Sequence, residues 1–331
     1  MGAAFSLVAV VVLGSVAFLG QSVPGMEYLF GVVVPYVAII TFLAGFIHRI
    51  LLWAKAPVPF RITTSCGQQK TLPWIKSSPL DSPHTALGTV GRMALEVFLF
   101  RSLFRNTKAD LKAGGNLVYG SDKWLWAAGL AFHYSFLVIF IRHLRFFTEP
   151  VPSAVLFIQS LDGFFQVGLP IVYASGFILI AAALFLLGRR LLVPQVRYIS
   201  LVQDYFPLFL ILGIATTGLL MRHTPPRIDI VGVKEMAMGW LNFRPVVPEG
   251  VGPLFYTHIF LVCVLFAYFP FSKLMHMGGI FLSPTRNMPN NNRMKRHVNP
   301  WDYPVAVHTY EEYEDEFRGK MKGAGIPVDK E

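Results

Sequence analysis

Six stretches of this chain stay apolar over about twenty residues, the length a helix needs to cross a bilayer core, and this constrains the fold more than any other feature. They run roughly Phe5 to Leu19, Tyr28 to Trp53, Trp124 to Phe147, Gln166 to Leu187, Tyr205 to Met221 and Leu254 to His276. With 54% hydrophobic residues and a mean hydropathy of +0.51 over 331 residues, the chain is too apolar for an ordinary soluble domain. The expected fold is therefore an all-α integral membrane protein with six transmembrane helices. A β-barrel is excluded, because barrel strands alternate and are about half as long. The first stretch lacks a basic n-region, and Leu19-Gly20-Gln21 makes a poor cleavage site, so residues 1–20 are expected to be an additional N-terminal anchor.

The net charge of +10 is informative through its distribution. Of 29 Lys and Arg residues, 23 fall in the loop 49–123, the loop 188–204 and the tail from 273, which six spans place on one side. The other side holds Arg142, Arg145, Arg222, Arg227, Lys234 and Arg244. The positive-inside rule then puts both termini in the cytoplasm of a multi-pass protein of the cell membrane, with no nucleic-acid partner. Most extramembrane mass, the loop 54–123 and the tail 281–331, is on that side, where the main protein partner is expected. Within the loop, Cys66 to Pro83 reads as irregular and Thr85 to Phe104 as a continuous interfacial or partner-covered helix, since its charges Arg92, Glu96, Arg101 and Arg105 do not fall on one face and are too many for lipid. The polar, turn-rich tail buries too little to fold alone and is expected either to order against a soluble subunit or to stay a solvated, flexible tail.

Ionisable side chains are expensive inside a bilayer and mark functional sites by default. His133 and His143 lie ten residues apart in the third stretch, and His258 and His276 lie eighteen apart in the last. The two stretches run in opposite directions, so His133 pairs in depth with His276 and His143 with His258. Each pair can hold one haem iron between two helices as axial ligands. Eighteen residues is five helical turns, which predicts that His258 and His276 share a face; ten residues leaves His133 and His143 about 80° apart. The separations along the helices, ~15 Å and ~27 Å, do not match. Pro270 is the expected source of the bend that absorbs the difference. Bis-histidine ligation closes both axial positions and favours electron transfer over oxygen chemistry. The competing view makes the four histidines satisfied polar residues in helix contacts, which their grouping at compatible depths disfavours.

Arg142 and Arg145 flank His143 and are candidates to pair haem carboxylates, as is Lys273 beside His276; lipid-headgroup contact is the alternative. His48 and His223 stand at span ends as spares, and His84, His297 and His308 in loops. Asp162, Asp204 and Gln166 are the few polar boundary groups that could serve proton release. Cys66 and Cys263 cannot meet in this topology, and neither a C-x-x-C-H nor an iron–sulfur cysteine cluster is present. The absence of an H-E-x-x-H and of acidic residues within the spans argues against an intramembrane protease and an ion-coupled transporter.

The H-x9-H and H-x17-H spacings resemble the di-haem cytochrome b subunit of respiratory nitrate reductase, the gamma-subunit family, over roughly residues 28–280. Cys66-Gly-Gln-Gln-Lys-Thr-Leu-Pro-Trp-Ile-Lys76 and the run from Gly91 to Arg105 are similar to cytochrome b subunits of the membrane complex associated with dissimilatory sulfite reduction (Dsr). The resemblance implies two haem b groups, menaquinone as substrate and a cytoplasmic iron–sulfur subunit similar to heterodisulfide reductase. Further membrane and outer-side subunits would complete the complex. A nitrate reductase or heterodisulfide reductase cytochrome, and a non-haem membrane anchor, are the alternatives. The quinol-site lysine of the nitrate reductase cytochrome is not matched, because Gly163 stands at that point and no Lys occurs between Lys123 and Lys234.

Overall fold

The computed structural model describes residues 2–56, 67–163, 170–294 and 306–330. Cys66, Gln166, His297 and the basic residues Lys295 and Arg296 lie outside them. Six helices among the described residues are long and apolar enough to span a membrane. They are α1 (Gly2–Gly20), α2 (Met26–Lys55), α4 (Lys123–His143, extended by a 3-10 turn to Phe146), α6 (Ala174–Leu192), α7 (Val202–His223) and α9 (Pro253–Tyr268). Shorter elements fill the connections: α3 (Ala86–Leu99), the hairpin β1 (Thr107–Leu111) and β2 (Leu117–Ser121), α5 (Ser153–Asp162), α8 (Ile230–Leu241) and the tail helix α10 (Tyr310–Gly323). Six crossings leave α1's start and the segment after α9 on one face, here the proximal face; the opposite face is distal.

α1, expected as an addition to the bundle, packs inside it against α7 and α9. Val10 shares one buried cluster with Leu210, Ile211, Leu261 and Leu265, and Ala17 another with Phe30, Trp240 and Tyr256. Its Ser6 hydroxyl, fully buried, donates to Gly2 O and lies 3.3 Å from Val202 O. The distal end is closed by α8, which buries Val233, Met236, Ala237 and Trp240. Full burial of a side chain such as Met236 contributes roughly 1.5–3 kcal/mol. The indole N–H of Trp240 donates to Gly31 O at 2.8 Å, inside a π turn of α2 (Leu29–Val33). Losing such a buried bond costs about 1–3 kcal/mol.

Three expectations need correction. The helix from Thr85 stops at Leu99, because Phe100 adopts a left-handed conformation (φ 49°) and a new single turn follows at Arg101–Phe104. α3 buries Thr89, Arg92 and Glu96 on one face and exposes Leu87, Val90, Ala94 and Phe98 on the other, so two of the charges read as scattered do share a face. Asp81 ties this region together through Arg101 and Arg105. Burial pushes its carboxyl up, but the bonds from Arg105, Arg101 and Ser78 outweigh that and hold it below the usual carboxylate range. The hairpin β1–β2 was not anticipated; Gly114 and Gly115, both at positive φ, make its turn.

The tail also folds more than its composition implies. Thr309 and Glu312 cap the start of α10 reciprocally. Glu314, 1% exposed, accepts the backbone N–H groups of Asp329 and Lys330 and so folds the last residues onto the helix.

Candidate functional site

The four histidines come together in two pairs. On the proximal side the rings of His133 and His276 lie edge to face with centroids 5.9 Å apart. His143 and His258 lie within electrostatic reach of each other toward the distal side. The route by which the chain brings these rings to two depths differs from the sequence expectation. α9 ends at Tyr268, so His258 and His276 do not share one straight helix. A 3-10 turn (Phe269–Phe271) containing Pro270 follows, then Ser272 in an extended conformation, a second 3-10 turn, and His276 at the start of another short helix. Pro270 lacks the N–H that would continue the ladder. It is accommodated by Gly45 of α2, where a Cβ would sit 2.7 Å from the Pro270 Cβ. Asp204, its side chain 7% exposed, clasps the turn by accepting from Lys273 at 2.8 Å and from Leu201 N at 2.9 Å. Lys273 is thus committed to Asp204 rather than standing free beside His276.

Each histidine is held by the same ring nitrogen. The Nδ1 atoms of His133, His143 and His276 lie 2.7, 2.7 and 2.8 Å from the carbonyl oxygens of Gly129, Ile139 and Lys273. A carbonyl only accepts, so these nitrogens carry the proton and Nε2 keeps its lone pair. His258 differs, with Nδ1 3.0 Å from the Thr217 hydroxyl. Among the described residues no hydrogen bond is made by any of the four Nε2 atoms. Nor are the rings packed away: His133, His143 and His276 are exposed and His258 is half-buried. Only 6% of the α4 span is buried against other protein, the lowest share of the six, which leaves its faces to lipid or to a bound group.

These features fit a haem iron. Such an iron takes a neutral imidazole whose second nitrogen donates to a fixed acceptor, the arrangement present at His133, His143 and His276, with His258 Nδ1 beside the Thr217 hydroxyl.

Around His143 the distal site carries a polar network that sequence reasoning did not assemble. Arg142 pairs with the buried Asp162 at 2.7 Å, and Asp162 also accepts from the Ser175 backbone N–H and hydroxyl. The Tyr173 ring is sandwiched between Arg142, 3.3 Å from its centroid, and Arg222 at 4.3 Å. Arg222 also donates twice to Ile171 O. Arg145 donates to Gln159. Both arginines expected at haem carboxylates therefore already have protein partners, although Arg142 Nε is buried with none. The signal for this network was the rarity of arginine and aspartate at span ends, but nothing in the spacing linked 142 to 162, 173 and 222. Of the remaining histidines, His223 packs on Phe177, and His308 lies 4.0 Å from Glu312. Among the described residues no ring contact joins His48, His84, His223 or His308 to the four.

The sequence matches the nitrate reductase gamma subunit family over residues 90–289, a stretch holding four spans and all four histidines. The chain belongs to this family. The matched stretch is narrower than 28–280 at its start, leaving α1 and α2 before it. Two relatives extend the similarity. The Hdr-like menaquinol oxidoreductase cytochrome b-like subunit of Archaeoglobus fulgidus is 46% identical over 281 residues, 83% of each chain. The protein of the same description from Archaeoglobus profundus is 43% identical over 275 residues, 81% of each.

Proposed function

We propose that this chain is a di-haem b, quinone-linked electron-transfer subunit of a membrane oxidoreductase complex. The observation that carries the reading is the four histidines, paired at two depths, each with Nδ1 fixed and Nε2 unbonded. His133 and His276 would hold one haem and His143 and His258 the other, about 15 Å apart along α4. Bound there, each haem supplies reversible one-electron transfer. The residues of the chain would fix ligand orientation and tautomer, and two histidines offered to each haem suit electron transfer rather than oxygen chemistry. Arg142 and Arg145 would hold haem carboxylates with the N–H groups that Asp162 and Gln159 leave over.

The electron donor we propose is menaquinol, oxidised near the distal pair, with electrons passing to the proximal pair. The relatives' description, menaquinol oxidoreductase subunits, supports this. From there they would leave to an iron–sulfur subunit similar to heterodisulfide reductase, docked on the proximal face. That face carries most of the positive charge and the extramembrane elements α3, β1–β2 and α10, which supports a cytoplasmic orientation for it and for both termini. On this reading residues 1–20 are a first span ahead of the haem domain 28–280, and 281–331 dock the partner. The finer assignment is to a dissimilatory sulfur-metabolism (Dsr) complex, with further membrane and outer-side subunits. It rests on the resemblance of the Cys66–Lys76 loop and the Gly91–Arg105 run. A nitrate reductase cytochrome is the second reading, favoured by the family match itself.

The test is haem stoichiometry on the purified chain, with reduced-minus-oxidised spectra before and after a menaquinol analogue. Two b-type haems that reduce with quinol are expected. A colourless protein that still binds its partner would replace the reading with that of a non-haem anchor.

A further inference from the structure

Three of the four histidines anchor Nδ1 on a backbone carbonyl three or four residues earlier in their own segment, an acceptor no side-chain substitution removes. His258 differs: its partners are on another helix, the Thr217 side chain and the backbone carbonyl of Ile214. The Thr217 Oγ1 lies 2.8 Å from Gly213 O and 3.0 Å from Ile214 O, and 3.0 Å from His258 Nδ1. A hydroxyl has one proton, and two carbonyls of its own helix turn within reach favour keeping it there, which leaves the oxygen to accept from His258. His258 Nδ1 therefore carries the proton, and Nε2 is the free donor atom. The next residue, Gly218, lies against the same ring: a Cβ there would sit 3.2 Å from His258 Cε1 and 3.7 Å from Nδ1. α7 supplies no histidine to either pair, yet its Thr217 and Gly218 touch the imidazole from two directions.

We infer that Thr217 and Gly218 are positioning residues for the distal haem, fixing the tautomer and rotation of His258 and setting that haem's electron affinity separately from the proximal one. The inference rests on the haem reading above. Donation from Nδ1–H to Thr217 makes the imidazole a stronger donor to iron, which favours the oxidised state and lowers the midpoint potential. Removing the side-chain acceptor leaves only the Ile214 carbonyl, which weakens the donation and raises the midpoint at one haem only. The proximal ligands keep their carbonyl partners.

The experiment is a potentiometric titration of the full chain in nanodiscs, followed by the haem absorbance and by low-temperature electron paramagnetic resonance, for wild type, Thr217→Val and Thr217→Ser. The wild type is expected to show two haems and two midpoints. In Thr217→Val one midpoint rises and the g-values of one low-spin signal move, while the other haem and the stoichiometry stay put. Thr217→Ser restores the oxygen and returns both readouts toward wild type. Unmoved potentials, equal shifts at both haems, or a serine variant that behaves like valine would overturn the inference while leaving the di-haem reading intact. Wild-type protein without haem would overturn both. Should Thr217→Val lose the distal haem outright, the serine variant alone decides: retention with near-native potential supports the positioning role, and loss overturns it.

Discussion

At the distal pair His258 sits inside α9 and His143 is the last residue of α4's regular part, whereas at the proximal pair His276 hangs on a turn beyond the end of its span. In the distal pair His143 is held by its own backbone carbonyl but His258 by a neighbouring helix through Thr217 and Gly218, and the pair is bordered by the Arg142–Asp162–Ser175 and Tyr173–Arg222 contacts. The proximal pair is oriented by its own backbone carbonyls, clasped by Asp204 and Lys273, and covered by Phe100, whose ring lies edge to face 5.0 Å from His133. A ligand inside a rigid helix can be tuned by one residue on the next helix. A ligand on a turn depends on whatever holds the turn, and here the holding groups belong to the face where a partner would dock.

This contrast can be broken in order of expected effect. Gly218→Val places a branched side chain where even a Cβ meets the His258 ring at 3.2 Å. We expect the haem content to fall from two to one, with the proximal spectrum retained. Loss of both, or of neither, would erase the separation between sites. Asp204→Ala removes the acceptor of Lys273 and of Leu201 N. It should destabilise the protein by about 1–3 kcal/mol in thermal unfolding. The proximal haem should be lost first on heating, because the 272–276 turn is what Asp204 restrains. If the distal haem is lost first, the clasp is not what supports His276. Phe100→Ala should cause the smallest change, sharpening the contrast rather than abolishing a site. An edge-to-face contact is worth about 0.5–1.5 kcal/mol beyond its area. With more water at the proximal site the charged oxidised state is favoured. The proximal midpoint should drop in a redox titration while the distal one holds.

Much of the architecture was legible in the sequence because a bilayer demands long apolar runs, and these survive without knowledge of packing. The histidine grouping was legible for the same reason: a polar group inside such a run stands out. Pro270 signalled a break, but only the packing of Gly45 against it and the clasp by Asp204 set where His276 ends up. Thr217 and Gly218 were invisible, since a threonine and a glycine in an apolar helix are ordinary until a neighbouring helix brings a histidine against them. The turn at Phe100 was hidden because a bulky residue at positive φ violates local preference, and the surrounding contacts impose it. The polar inner face of α3 shows that charge spacing must be read on the helix that forms, not on the longer one the composition permits.

The most direct test of the account is haem loss in four single variants, His133→Ala, His143→Ala, His258→Ala and His276→Ala, each titrated potentiometrically. The pairing predicts that His143→Ala and His258→Ala remove the same midpoint, and that His133→Ala and His276→Ala remove the other. If the two variants of either pair removed different haems, or if all four retained two haems, the central claim would be wrong.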